Sequence, residues 1–393
     1  MFSPSQNFLD LQSRLRFNRL VQSPLQLGIW SILEPAGAQN HAPQLCWISS
    51  NQLGCVWMAG SGEGTAGMSI VMSSLRRESR SWSKPRKISQ NDSRSEQNPL
   101  LFLSEAKTGE FDLQLIHTAQ KVRKPSESRS EGGTFSMQWT ASLKSQRRGQ
   151  HKGRWSKAID LLDTPAFCRH PPHRRADGRW LLPIYRSLEA GGSFGHDYSE
   201  LLLLEADGSP SGELIPIPNS KGRVHGSLVA SADGTQLLQF FRSRQADCIY
   251  RSHGSLDGLH WNTPEPIALP NNNSSIQALR LQSGLLAMIF NRFSVQAHPT
   301  EEHAWGEALW PRTRWPLSVA LSDDDGDSWP WIRDLDHGDG FVGEANWFLN
   351  GQLAYPSILE GMPGELHIAY SWAGRQAIRY LCILEKQILG LVP

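Results

Sequence analysis

Six times along the chain a short polar turn gives way to a mostly apolar run. The segments are Gln52–Gly60, Thr108–Gln120, Asp177–Ser187, Asp233–Ser243, Ser283–Arg292 and Pro363–Trp372. Glycine supplies the positive φ that such tight turns need, and the run after each turn is apolar enough for a strand buried on both faces. Further strands precede several of the turns, in APQLCWIS (Ala42–Ser49), NPLLFLS (Asn98–Ser104), GSLVASA (Gly226–Ala232) and YPSILEG (Tyr355–Gly361). Each unit is therefore at least a hairpin, and the units recur at roughly 50 to 80 residues, a spacing that marks a repeat architecture.

A second series lies between the hairpins. Ser322–Trp329 (SDDDGDSW) fits the pattern S-x-D-x-G-x-x-W in full, and Ser255–Trp261 (SLDGLHW) fits it one residue short. Weaker copies surround Trp82 and Trp155, and the tails WSKP, WSKA and WNTP follow three of the tryptophans. An EF-hand reading of Asp323–Asp327 fails, because the loop glycine and the distant glutamate are missing. Boxes alternating with hairpins point to an all-β, six-bladed β-propeller of four-stranded antiparallel blades, each of about 60 residues. Ring closure removes the edge strands that an open sheet of this size would have to protect. The expected propeller covers residues 28–384, with an N-terminal extension at 1–27 and a C-terminal tail at 385–393. Leu27–Leu33 is expected to complete the last blade and latch the two ends of the chain. A short helix is expected over Phe8–Leu20, from its loosely helical apolar spacing. Lys121–Thr134 and Lys144–Arg154 read as solvated basic loops.

Charge narrows the function. Lys and Arg number 39 against 38 Asp and Glu, for a formal charge of +1. A dedicated nucleic-acid or anionic-membrane binder would carry a basic surplus, so neither partner is expected. No run approaches the length of a membrane span, and the N-terminus lacks the apolar core of a secretory signal, so a cytoplasmic location is expected. The five cysteines are scattered, with no CxxC pair, and read as reduced buried thiols. Gly62–Gly67 matches G-x-G-x-x-G and Gly191–Gly195 matches G-x-S-x-G, but neither leads into a helix that could hold a pyrophosphate or raise a nucleophile. Cys168, His170 and His173 lack a fourth ligand beside two prolines. No metal or cofactor is expected.

In a propeller the loops entering the innermost strands converge on the central axis. Those places hold His41, Glu63, Glu96-Gln97-Asn98, Arg169, His170, His225, Arg242, Arg314 and Tyr355. Several arginines around one axis would grip a carboxylate bidentately.

The full box, the repeat number and a series of short motifs resemble the sialidase superfamily, and within it the BNR-repeat-like branch. The motifs are NHAPQL, AGSGEG, EQNPLL, FCRHPP, DGRWLLP, CIYRSH, LPNNNSS and AYPSI. The box is the Asp-box of that superfamily, whose tryptophan packs between neighbouring sheets. The resemblance implies a carboxylate-gripping set of arginines, a tyrosine nucleophile activated by a glutamate, and an aspartate acid/base. By position Tyr355 corresponds to the nucleophile, and Arg242 and Arg314 to the second and third arginines. The sequence departs elsewhere. His41 stands where the first arginine falls, His225 stands where the glutamate partner falls, and no aspartate lies between Gly64 and Ser69. The resulting expectation is a sialidase-like glycoside hydrolase acting on an acidic sugar. Arg169, Arg242, Arg314, His170 and Asn98 would bind substrate. Tyr355 would be the nucleophile, Glu63 or His41 the proton donor, and His225 the partner of the phenol. Two alternatives stay open. One is a polysaccharide lyase using His41 or His225 with Tyr355 beside a uronate; the other is a non-catalytic glycan- or protein-binding propeller.

Overall fold

The structure is a computed structural model and describes residues 17–22, 27–106, 109–122, 140–149, 153–187, 196–299, 308–338 and 352–392. Six antiparallel sheets follow one another along the chain. The first blade comprises Gln39–Ser49, Gln52–Gly60, Ser69–Arg76 and Arg86–Ser89. The second comprises Arg94–Glu105, Phe111–Lys121, Ser142–Gly149 and Ile159–Asp160. The third runs Phe167–Cys168, Trp180–Arg186, Tyr198–Leu204 and Pro210–Pro216, with His173–Arg174 also pairing its second strand. The fourth is Arg223–Ala230, Gln236–Ser243, Cys248–Ser255 and Glu265–Pro270. The fifth is Gln277–Arg280, Leu286–Asn291, Leu317–Ser322 and Trp331–Asp336. Ala354–Glu360, Glu365–Trp372 and Ala377–Leu384 make the sixth, and Ile29–Leu33 from the chain start pairs beside them. The chain is a six-bladed propeller, latched where Leu27–Leu33 was expected to latch it.

The unbroken apolar runs have a simple cause. Each sheet stands between two others, so both faces of its middle strands are buried. In Leu286–Asn291, Leu286, Met288 and Phe290 pack toward the fourth blade, while Ala287 and Ile289 pack toward the sixth. Leu237 and Phe241 face the third blade, whereas Leu238 and Phe240 on the same strand face the fifth. The core is thus a ring of apolar wedges, one between each pair of neighbouring sheets.

The boxes occupy equivalent places, each joining the third strand of a blade to its fourth. In Ser322–Trp329, Asp324 accepts from the Ser328 backbone N–H at 2.9 Å and from the Ser322 hydroxyl at 2.7 Å. The Gly326 N–H donates to Ser322 Oγ at 2.8 Å, and Gly326 takes a φ of +92° that a residue with a Cβ would resist. Trp329 packs edge-on to Phe240 of the preceding blade, between the two sheets.

Three expectations are corrected. Phe8–Leu20 lies mostly outside the described residues, and its described part, Phe17–Leu20, is a turn and a bridge from Arg19 to Ser81. Asn18 bonds there to the Ile32 carbonyl and the Trp82 N–H, an extended tie between the sixth and first blades that a helix could not make. Lys144–Arg154 is no loop at its start, because Ser142–Gly149 is the third strand of the second blade. Leu143, Ser145 and Gln146 are its buried residues, and the basic Lys144, Arg147 and Arg148, none of them buried, disguise it. A short helix, Glu385–Ile388, lies in the segment expected as a plain tail. Of the expected loop Lys121–Thr134, residues 123–134 lie outside the described residues, as does the Gly191–Gly195 match. Gly62–Gly67 is a turn leading into the strand Ser69–Arg76. Among the described residues, no helix is long and apolar enough to cross a membrane.

Candidate functional site

The inner strands of four blades share one local device. Each begins with a register shift, between His41 and Gln44, Gln97 and Leu100, Val224 and Ser227, and Ala354 and Ser357. Within these bulges Ala42, Asn98, His225 and Tyr355 take φ of +56°, +49°, +56° and +54°. Asn273, in the approach to the fifth blade's inner strand, takes +55°. Non-glycine residues avoid this region, and such strain collects where a scaffold aims side chains at a site. The sequence supports it with a residue that suits the bend next in line: proline after Ala42, Asn98 and Tyr355, glycine after His225.

The bulges at Asn98 and Tyr355 turn these side chains to an axial cavity of about 600 Å³, its open mouth included. Glu63, Asn98, Arg314 and Tyr355 line it, as do Arg244, Arg375, Tyr185 and Trp310. The Tyr355 side chain meets several of the arginines here. Arg242 Nη1 donates to Tyr355 Oη at 2.8 Å, so two residues 113 positions apart meet as the ring geometry requires. The guanidinium carbons of Arg169, Arg242 and Arg314 lie 5.4, 5.5 and 5.7 Å from the Tyr355 ring centre. Burial works to raise the phenol's pKa, but the charges of Arg242 and Arg314 and the Arg242 hydrogen bond outweigh it and hold it below the usual value.

The residues expected to bind or react fall into two groups. Tyr355, Arg314, Asn98 and Glu63 face the cavity. Arg169, Arg242, His41, His170 and His225 are buried behind its wall. Arg169 spends its guanidinium on the backbone carbonyls of Pro43, Tyr355 and Pro356, at 2.8 to 3.2 Å, and on Ser275 Oγ at 3.2 Å. It thereby ties the Ala42 and Tyr355 bulges together. Arg242 is gripped by Asn273 Oδ1 through Nε and Nη2, at 2.9 and 2.6 Å. His225 Nδ1 lies 3.1 Å from Ser275 Oγ and its Nε2 lies 3.5 Å from Arg242 Nη1. His41 stacks at 4.3 Å on the Tyr355 ring, with Nδ1 2.7 Å from Ser371 Oγ. Burial first, and the surrounding arginines second, push the pKa of His41, His170 and His225 far down, so these imidazoles are neutral.

Arg314 differs from its neighbours. Its Nε and Nη1 are buried without a hydrogen-bond partner among the described residues, and burial lowers its pKa to about 10. Asn98 likewise keeps an unpartnered Oδ1 at the cavity, among the described residues. Two other cations are balanced, Arg375 by Glu63 at 2.5 Å and Arg244 by Asp197 at 2.5 Å. Among the described residues, five guanidiniums thus gather round one cavity with two carboxylates, and the surplus charge suits an anion. Sequence reasoning missed Arg244, Arg375 and Trp310. The first two follow the second strands of their blades, as Arg242 ends one, so axial placement was readable in FFRSRQ and WAGRQ once the blades were counted. Trp310 lies on a loop with no such signal; its ring lies 5.2 Å from the Arg244 and 5.5 Å from the Arg242 guanidinium carbon.

Comparison with known proteins agrees with this architecture. The sequence profile of the family described as "BNR repeat-like domain" matches residues 51–368. No curated protein matches. Among solved structures, a Hadza microbial sialidase superposes with a TM-score of 0.66 at 14% identity, covering 90% of this chain and 67% of its own. A protein of unknown function from Dyadobacter fermentans gives 0.66 at 12% identity, covering 90% and 97%. The intramolecular trans-sialidase from Ruminococcus gnavus gives 0.63 at 10%, covering 91% and 97%. At such identities the likeness concerns the fold, which hosts more than one chemistry.

Proposed function

Because the chain belongs to the BNR repeat-like domain family, as a sialidase-like propeller, we propose that its axial cavity binds a carboxylate-bearing sugar and hydrolyses its glycosidic bond. One observation carries the reading: Tyr355, held by Arg242 through its Oη, lines the same cavity as Arg314, whose Nε and Nη1 have no hydrogen-bond partner among the described residues. In this reading Arg314 takes the sugar carboxylate, and Arg375 and Arg244 add charge at the walls. Arg169 and Arg242 act from behind, the first by fixing the bulges and the second by stabilising the phenolate. The exposed ring of Trp310 offers a face on which a sugar can stack.

Tyr355 Oη attacks the anomeric carbon as the bond to the leaving oxygen breaks. Glu63, which reaches the cavity, gives that oxygen a proton in preference to His41, which is sealed behind the phenol. Water then cleaves the aryl glycoside: Glu63 takes a proton from the water as its oxygen bonds to the anomeric carbon, and Tyr355 leaves as the phenolate that attacked, with Glu63 protonated again. A glutamate beside the phenol is replaced by the Arg242 charge, so the nucleophile is prepared by stabilising its anion.

A second reading has its own support. Glu63 is already ion-paired to Arg375, which favours its anion and works against proton donation. The cavity would then bind acidic sugars without turning them over. Incubation with 4-methylumbelliferyl sialoside and a panel of aryl glycosides separates the two. Turnover lost in Tyr355→Phe supports hydrolysis. Turnover unchanged in that variant removes the nucleophile assignment, and tight binding with no turnover leaves the second reading.

A further inference from the structure

A separate cluster of metal-ligating side chains lies in the sixth blade. Its inner strand, Ala354–Glu360, carries Tyr355 near its start, beside the axial cavity. Leu359, the residue paired with His367, is four positions further on, or about 13 Å along the sheet. There antiparallel pairing sets His367 directly opposite Cys382, and Glu365, two residues earlier, shares the face of His367. The ligand atoms of Glu365, His367 and Cys382 all lie within 4.8 Å of one another. His367 Nε2 is 3.5 Å from Glu365 Oε2, and Cys382 Sγ is 3.7 Å from Glu365 Oε1. A tetrahedral zinc ion, with bonds of about 2.0–2.3 Å, sets its ligand atoms about 3.3–3.8 Å apart.

Three further features point to a ligand. His367 is 6% exposed, and among the described residues its buried Nε2 has no polar contact beyond the 3.5 Å approach to Glu365 Oε2. Its other nitrogen, Nδ1, lies 2.7 Å from Tyr380 Oη, the outer contact that orients metal-binding imidazoles. Position 361 is glycine, and a Cβ there would come within 2.5 Å of His367 Nε2 and 2.9 Å of Glu365 Oε2. Glycine therefore keeps open the space that an ion between those two atoms would use. Gly361 also lines a surface cavity with Trp47 and Glu360.

We propose that Glu365, His367 and Cys382 form a binding site for a zinc-type divalent transition metal ion, with water or an outside ligand in the fourth position. One sulfur, one nitrogen and one oxygen donor favour this class over magnesium or calcium, which prefer all-oxygen shells. Binding forms the metal–sulfur bond as the Cys382 thiol releases its proton to solvent.

Titration of the chelator-stripped full chain with cobalt(II) tests the site. One equivalent per chain should bring up intense visible bands and a near-ultraviolet thiolate-to-cobalt band, and zinc should bleach both. Cys382→Ser should remove the thiolate band. Tyr380→Phe should weaken binding about 10- to 100-fold. Gly361→Ala should weaken it about tenfold or more with the thermal melt nearly unchanged, and this variant decides the matter if Cys382→Ser does not fold. A spectrum identical to aqueous cobalt would overturn the proposal. So would a thiolate band that survives Cys382→Ser, or affinity untouched by Gly361→Ala.

Discussion

The axial bulges and the Asp-box turns sit at different places in the ring, and they draw their polar partners from different distances. In Ser322–Trp329 the hydroxyl, carboxylate and backbone groups satisfy one another within a few residues. At the axis the partners come from different blades. Arg169 reaches carbonyls of the first and sixth blades, Arg242 reaches Asn273 and Tyr355, and Arg314 keeps buried nitrogens without partners among the described residues. A buried polar group without a partner costs stability, and a bound anion would supply one to Arg314. The turns close on themselves, whereas the axial groups draw their partners from separate blades.

That contrast predicts opposite outcomes for substitutions. Trp329→Ala should cost about 3–5 kcal/mol in denaturant unfolding, the usual loss for emptying a buried aromatic site, while the affinity of the folded protein for acidic sugars stays unchanged. Arg314→Ala should do the reverse. Affinity for an acidic monosaccharide should fall about 10- to 100-fold by calorimetry, as expected for a lost charge-assisted hydrogen bond, with stability held or raised. A large drop in Tm for Arg314→Ala would erase the distinction. The smallest effect concerns Asp324. Partial burial works to raise its pKa, but hydrogen bonds from Ser328 and Ser322 outweigh it and hold it at about 2, below the ordinary 3.8. A depressed carboxylate contributes stability above its unfolded pKa and loses it as the pH falls toward the folded one. Thermal melts should therefore show an Asp324→Asn deficit of a few degrees at pH 7 that shrinks as the pH falls from about 4 to about 2. A deficit independent of pH would mean that the carboxylate charge contributes nothing to the turn.

The same contrast explains what the sequence disclosed. Local devices were legible: the turn–strand runs set the blades, and S-x-D-x-G-x-x-W marked where third strands turn into fourth. Even the axial bulges left a trace in Ala42-Pro43, Asn98-Pro99, His225-Gly226 and Tyr355-Pro356. What stayed hidden depends on packing between distant segments. The sequence alone could not separate Arg169, consumed by backbone carbonyls, from Arg314, which faces the cavity, because both are arginines at axial positions. Arg375 and Trp310 enter the site from loops. The strand Ser142–Gly149 was obscured by its outward basic residues, which solvent tolerates at that depth in the blade.

The central claim is that Arg314 and Tyr355 act on one bound sugar. A crystal structure of the protein with an acidic monosaccharide tests it most directly. The account predicts the sugar carboxylate within hydrogen-bond distance of Arg314, with the anomeric carbon over Tyr355 Oη. A sugar bound with its carboxylate turned away from Arg314, or seated outside the axial cavity, would contradict it.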